Sequence, residues 1–188
     1  MKACYILGIS AFYHDSASAL LRNGEIVAAA QEERFTRVKH DLSFPINSIK
    51  FLLNQENISL ADIDYIVFYE KPYLKFRRII KTIFTFAPKG FSNFHNILRG
   101  WLFGKLFTSK KIIRELKKID NNFHIKKINY VEHHLSHAAS AFYPSPFEES
   151  AILTIDGVGE WATASICHGK GKDITILKEM KFPHSLGL

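Results

Sequence analysis

Cysteine is nearly absent from this 188-residue sequence, which holds only Cys4 and Cys167. That scarcity excludes a disulfide framework and any cysteine-rich zinc module. Both residues sit in apolar stretches, which predicts buried thiols in a reducing compartment. Long apolar runs are missing as well. No stretch approaches the roughly 20 residues that a membrane-crossing helix needs. The run from Met1 to Leu7, followed by Gly8 and His14, is too short for the apolar region of a secretory leader. A cytoplasmic protein without a leader or a membrane span is therefore expected. Acidic residues are scarce in one region only. Residues 71–118 contain 13 lysines and arginines and a single acid, Glu115, whereas the rest of the chain carries a net charge of −5.

What is present reads as one folded domain. Hydrophobic residues make up 47% of the chain, too many for a disordered polymer and enough for a substantial core. Residues 3–9 predict a buried strand, and 16–21 a second. Arg22-Asn23-Gly24-Glu25 predicts a tight hairpin into a return strand over 26–30, because Asn-Gly supplies the positive φ angles that such turns need. Pro45 opens a predicted helix running to about Asn54, and 64–69 is the next strand. The basic segment 71–118 then inserts nine aromatics, broken at Pro88-Lys89-Gly90, and closes in a basic amphipathic helix over 110–119. Beyond it the sequence predicts a strand at 125–131 and a helix from His133. Further strands follow at 151–155, 161–167 and 174–180, with a turn at His168-Gly169-Lys170-Gly171. The pattern is α/β with a mixed sheet, not an alternating βαβ array.

Several groups could carry chemistry. In Glu132-His133-His134-Leu135-Ser136-His137, His133 and His137 are four apart, so a helix points both from one face and lets two imidazoles reach one metal ion. The alternative is a polar histidine group at a helix start. Two ligands are a half-site, and a third is expected from outside this chain. Asp156-Gly157-Val158-Gly159-Glu160, between two strands, could bring backbone N–H groups to a phosphate; an ordinary Asp-Gly type I′ hairpin explains it equally. Tyr13-His14-Asp15-Ser16 offers a His-Asp pair at a strand end for orienting a base or binding an anion, or else a polar turn. The charged run from Gln31 to Asp41 reads first as a solvated loop, although Lys39 and His40 leave the sheet where functional residues often stand. The basic insertion reads best as a helical lid or interface, with capture of an anionic substrate second. Binding of nucleic acid or an anionic membrane surface is a further alternative.

Taken together, these residues resemble the antibiotic and nodulation-factor O-carbamoyltransferases. The resemblance runs in order through Gly8-Ile9-Ser10, Tyr13-His14-Asp15-Ser16-Ala17, Glu32-Glu33-Arg34-Phe35-Thr36-Arg37 and Lys39-His40-Asp41. It continues through the histidine run, Asp156 to Glu160, and Phe182-Pro183-His184-Ser185-Leu186-Gly187-Leu188. It implies an actin-like, ribonuclease-H-like ATPase fold similar to the universal tRNA threonylcarbamoyladenosine-synthesis protein, here as a truncated first portion of the domain bearing the basic helical insertion. It further implies transfer of a carbamoyl group from carbamoyl phosphate, by way of ATP and carbamoyl adenylate, to a hydroxyl of a sugar or natural-product acceptor. Carried over, His133 and His137 match paired ligands of a divalent metal, iron ahead of zinc. His14, Asp15 and Lys39 match positions lining the site. Asp156, Gly157, Gly159 and Glu160 match the phosphate-loop hairpin. The expected partners are the second half of the actin-like domain and an adenylate-forming domain. An inactive remnant is the alternative if this chain stands alone.

Overall fold

The Asn23-Gly24 turn fixes the first sheet. Both residues adopt left-handed φ angles, 55° and 91°, as a two-residue type I′ hairpin requires. The turn joins β2 (Ala17–Arg22) to β3 (Glu25–Gln31), and β1 (Tyr5–Ser10) pairs antiparallel with β2. On the other side of β1, β4 (Tyr65–Phe68) and β5 (Ile128–Tyr130) add in parallel. The resulting order is β3-β2-β1-β4-β5. The sheet is mixed and α/β, as the sequence pattern predicts. The structure is a computed structural model that describes residues 2–85, 87, 108–124 and 127–187.

The chain divides into two compact units. Unit 1 comprises residues 1–69 and 107–130 and contains the five-stranded sheet. Its helices are α1 (Glu33–Thr36) and α2 (Ile46–Glu56). Helix α2 packs on β2 and β3 through Ser48, Ile49, Leu52 and Leu53, the i, i+3, i+4 stripe of an amphipathic helix. Leu7, Leu20 and Phe68 of the sheet meet this stripe in one apolar core. Unit 2 comprises residues 70–106 and 131–188. It contains α3 (Pro72–Thr85) and a three-stranded antiparallel sheet of β6 (Glu149–Ile155), β7 (Ala162–Lys170) and β8 (Asp173–Lys181). Of the remaining helices, α4 (Thr108–Leu116) belongs to unit 1, where Ile112 and Leu116 enter its core, and α5 (His133–Phe142) lies on the sheet of unit 2.

Several expectations are corrected. The turn predicted at residues 168–171 lies at Gly171-Lys172, with Gly171 at φ 56°. Gly169 lies inside β7, where the Phe142 ring packs against it; a Cβ there would come within 2.8–2.9 Å of that ring. The charged run after β3 is not wholly solvated, since Glu32 is 2% exposed. Its carboxylate accepts the backbone N–H groups of Asn47 (3.1 Å) and Ser48 (2.8 Å) and the Asn47 side-chain amide (2.7 Å). It thereby caps α2, whose N-terminus offers unpaired donors and a positive dipole end. Cys4 is half-buried rather than buried, and both cysteines are free thiols. The strand predicted over 125–131 is confined to β5, while Ile125 itself lies outside the described residues. So do Leu188 and much of the insertion, namely Phe86, Pro88-Lys89-Gly90, Phe91, Phe94, Trp101, Phe103 and Phe107. Among the described residues, no helix is long and apolar enough to cross a membrane.

Candidate metal centre

In unit 2 the first turn of α5 meets the loop between β6 and β7. His133 and His137 stand one helical turn apart, as their spacing predicts, with their Nε2 atoms 3.0 Å from each other. His133 Nε2 lies 2.8 Å from Asp156 Oδ2. One donor atom from each of the three residues falls within a 4.8 Å cluster. Two imidazoles and one carboxylate form a donor set suited to a divalent transition ion such as iron or zinc, with further positions left for other ligands. Asp156, expected as part of a phosphate loop, offers a candidate third donor atom from this chain itself. Burial holds the His133 imidazole below the usual histidine range, and neighbouring His137 adds to this, while Asp156 opposes it. A depressed pKa keeps the ring neutral, the form that ligates metals.

The rest of this region is arranged around those side chains. His134 is 3% exposed and points the other way, its Nδ1 lying 2.8 Å from both Thr154 Oγ1 and Ser165 Oγ. Burial lowers its pKa too. The third histidine of the run is thus a satisfied core residue on one side and not a ligand of the cluster. Gly159 has no positive φ, so left-handed backbone geometry does not require it. Space does: a Cβ would come 2.8 Å from His133 Cδ2 and 3.1 Å from His134 Cδ2. Its N–H is given to the Ala162 carbonyl at 3.1 Å. Glu160 is 6% exposed, and its carboxylate accepts the backbone N–H groups of Lys71 and His133. Burial pushes the Glu160 carboxyl above the usual range, against those two hydrogen bonds. The type I′ alternative for residues 156–160 does not hold. The segment joining Ile155 to Ala162 is too long for a two-residue turn, and neither of its glycines has positive φ.

The other predicted site residues lie in unit 1. Asp15, at φ 52°, sits in the loop between β1 and β2. Its two carboxylate oxygens engage His40 Nδ1 at 2.8 Å and His14 Nδ1 at 2.7 Å. The hydrogen bond to His40, and after it the one to His14, holds the Asp15 carboxyl below its usual value. His40, next to Lys39 in the sequence, joins His14 and Asp15 in this group. The chain brings it there with a left-handed φ of 55°, and its backbone N–H is held by Glu33 at 3.0 Å. Lys39 is exposed beside it and forms no ion pair among the described residues.

Comparison with known proteins shows which family the chain resembles in sequence. The family described as Carbamoyltransferase N-terminus matches residues 5–188. An uncharacterized Synechocystis protein, sll1178, is 52% identical over 98% of this chain and 30% of its own length. The nodulation protein NolNO of Sinorhizobium fredii is 35% identical over 94% of the chain and 24% of its own length. The chain thus spans less than a third of either relative. Among solved structures, YeaZ from Pseudomonas aeruginosa superposes with a TM-score of 0.49 at 12% identity, covering 96% of this chain and 67% of that one.

Proposed function

The chain belongs to the carbamoyltransferase family, and we propose that it supplies the metal-binding part of an enzyme that moves a carbamoyl group onto a hydroxyl. The donor is carbamoyl phosphate, activated with ATP as carbamoyl adenylate, and the acceptor is a sugar or natural product in the cytoplasm. The observation that carries this reading is the convergence of His133, His137 and Asp156 within 4.8 Å. These three side chains hold the ion, iron ahead of zinc. A divalent metal bound there supplies Lewis acidity toward a carbamoyl or phosphate oxygen. The remaining partners are the second half of the actin-like domain and an adenylate-forming domain.

In the transfer itself, the acceptor oxygen bonds to the carbamoyl carbon, the carbon–oxygen bond to the adenylate phosphate breaks, and the hydroxyl proton passes to a base. The candidate base is a histidine of the Asp15 cluster. An ionised Asp15 accepts Nδ1–H from His14 and from His40, which leaves each neutral ring a lone pair on Nε2. We assign proton removal to His14 and orientation of its tautomer to Asp15, in the manner of an aspartate that orients a catalytic histidine. Lys39 contributes charge for the donor phosphate. On the nucleotide side, Asp156, Gly157, Gly159 and Glu160 were all candidates. With Gly159 N–H and the Glu160 carboxylate committed within the chain, Gly157 is the residue we retain for phosphate contact.

Two measurements test the reading. Metal analysis of the chain is expected to find bound iron or zinc, with His133→Ala, His137→Ala or Asp156→Ala each reducing occupancy by about tenfold or more, the size of loss seen when a ligand or its immediate support is removed. The whole gene product is expected to cleave ATP only when carbamoyl phosphate is present, and to carbamoylate a hydroxyl acceptor. Metal content that ignores all three substitutions, or ATP turnover indifferent to carbamoyl phosphate, overturns it.

A further inference from the structure

Helix α4 of unit 1 carries its charge on one side. Between residues 110 and 118, Lys110, Lys111, Arg114, Lys117 and Lys118 stand against a single acid, Glu115. At 3.6 residues per turn these cations fall within an arc of about 120°, and all of them are exposed. Lys117 and Lys118 continue the turn that ends α4, the Lys117 N–H being given to the Ile113 carbonyl at 3.0 Å. The opposite arc is fixed. Ile112 and Leu116 are fully buried in the core of unit 1, and Ile113 and Ile119 pack against it. The helix therefore cannot turn its cations inward. Glu115, buried at the edge of the arc, takes Arg114 at 3.3 Å and Lys118 at 2.5 Å. Lys111 rests over the Phe12 ring, 3.8 Å from its centroid. Neither Lys111 nor Lys117 has a carboxylate partner among the described residues. Like charges three or four residues apart destabilise a helix. Lys110 with Arg114, and Arg114 with Lys117 and Lys118, are such pairs. An anionic surface laid on the arc offsets that cost.

We propose that this face seats the protein on an anionic lipid bilayer. A cluster of about four to eight lysines and arginines on one helix face is what holds a protein to anionic headgroups. A bilayer meets every cation of a helix lying flat on it, and its headgroups shift sideways to pair with each. The apolar arc of α4 is committed to the core, so the contact is electrostatic and peripheral, without insertion. The composition of the face separates a bilayer from nucleic acid. All its cations except Arg114 are lysines, point charges that suit diffuse headgroups. Its exposed positions hold no amide to read a base edge and no aromatic ring to stack on a base. The inference goes beyond the carbamoyl-transfer reading and uses none of the residues assigned to it.

Co-sedimentation of the chain with phosphatidylcholine vesicles, with and without phosphatidylglycerol, tests the proposal. Binding is expected only when phosphatidylglycerol is present, and is expected to weaken as sodium chloride shortens the Debye length. Lys110→Gln with Lys117→Gln is expected to lower the partition coefficient about tenfold or more, since each cation near an anionic surface contributes severalfold. Lys110→Arg with Lys117→Arg keeps the charge and is expected to keep the binding. Lys50→Gln with Lys172→Gln removes the same charge from exposed positions elsewhere. It is expected to change the coefficient by about twofold at most, because distant charges are screened. Circular dichroism checks that every variant is folded. Equal binding to both kinds of vesicle, equal losses in the two glutamine variants, or no binding at all overturns the proposal. Tighter binding to a duplex DNA oligonucleotide at the same ionic strength, lost in the same Lys110 and Lys117 variant, also overturns it and assigns the face to nucleic acid.

Discussion

Each compact unit buries one glutamate at the N-terminus of a helix, and the two are held differently. In unit 1, Glu32 receives three N–H groups from Asn47 and Ser48 at the start of α2. In unit 2, Glu160 receives two, from Lys71 and from His133 at the start of α5, and burial still pushes its carboxyl upward, with Glu132 and Glu70 adding to the effect. The surroundings follow the same contrast. Around Glu32 lies a large apolar core that includes Leu7, Leu20, Ile49, Leu52 and Phe68. The apolar cluster of unit 2 is Ala138, Phe142, Ile152 and Cys167, and the interior beside it is polar, with His134, Thr154, Ser165 and Glu160. The difference teaches which part of the chain is built for stability. Unit 1 satisfies its buried charge, whereas unit 2 keeps an incompletely satisfied one against a candidate site, where local rules of stability are commonly broken for function.

Removing each glutamate measures that contrast. Glu32→Ala leaves the first turn of α2 with buried, unpaired donors. Hydrogen bonds to a charged group contribute about 1.5–3 kcal/mol, and orphaned buried donors add their own desolvation cost. A loss of about 3 kcal/mol or more is expected in urea unfolding. Glu160→Ala also orphans two N–H groups but relieves a strained buried charge, so the expected loss is about half as large. Equal losses would erase the distinction between the units.

Gly159→Ala probes the same contrast with one methyl group. The added carbon meets the rings of His133 and His134, and overpacking of this kind costs about 1–3 kcal/mol. Displacement of His133 is also expected to reduce metal content, which a purely structural glycine would leave alone. Stability lost with metal content unchanged would separate Gly159 from the centre.

Much of this was readable from the sequence where one local rule decided the outcome. Asn23-Gly24 announces its turn because few other residue pairs accept two positive φ angles, and the spacing of His133 and His137 follows from helix geometry alone. What stayed hidden depended on contacts between distant segments. Nothing in the run from Gln31 to Asp41 says that Glu32, and not Glu33, turns inward to cap a helix that starts at Ile46. Asp156 looked like a member of a glycine loop, because its approach to His133 is set by the pairing of β6 with β7 and the docking of α5. Gly159 invited a backbone explanation, whereas the reason for it is the two imidazole rings beside it.

The exposed polar cluster of unit 1 gives the smallest effect and the clearest sign. Asp15 has a folded pKa below its ordinary value near 3.8. Between the two values the unfolded chain binds more protons, so this contribution is complete above the unfolded value and is lost as pH falls through the folded one. The loop between β1 and β2 is therefore expected to loosen only on strong acidification. Carbon-detected NMR titration of the Asp15 carboxyl reads this directly. The hydrogen bond to His40 is the principal cause and the one to His14 the second. His40→Ala is thus expected to raise the Asp15 value more than His14→Ala does. The reverse order would make His14 the main partner of Asp15 and His40 the secondary one.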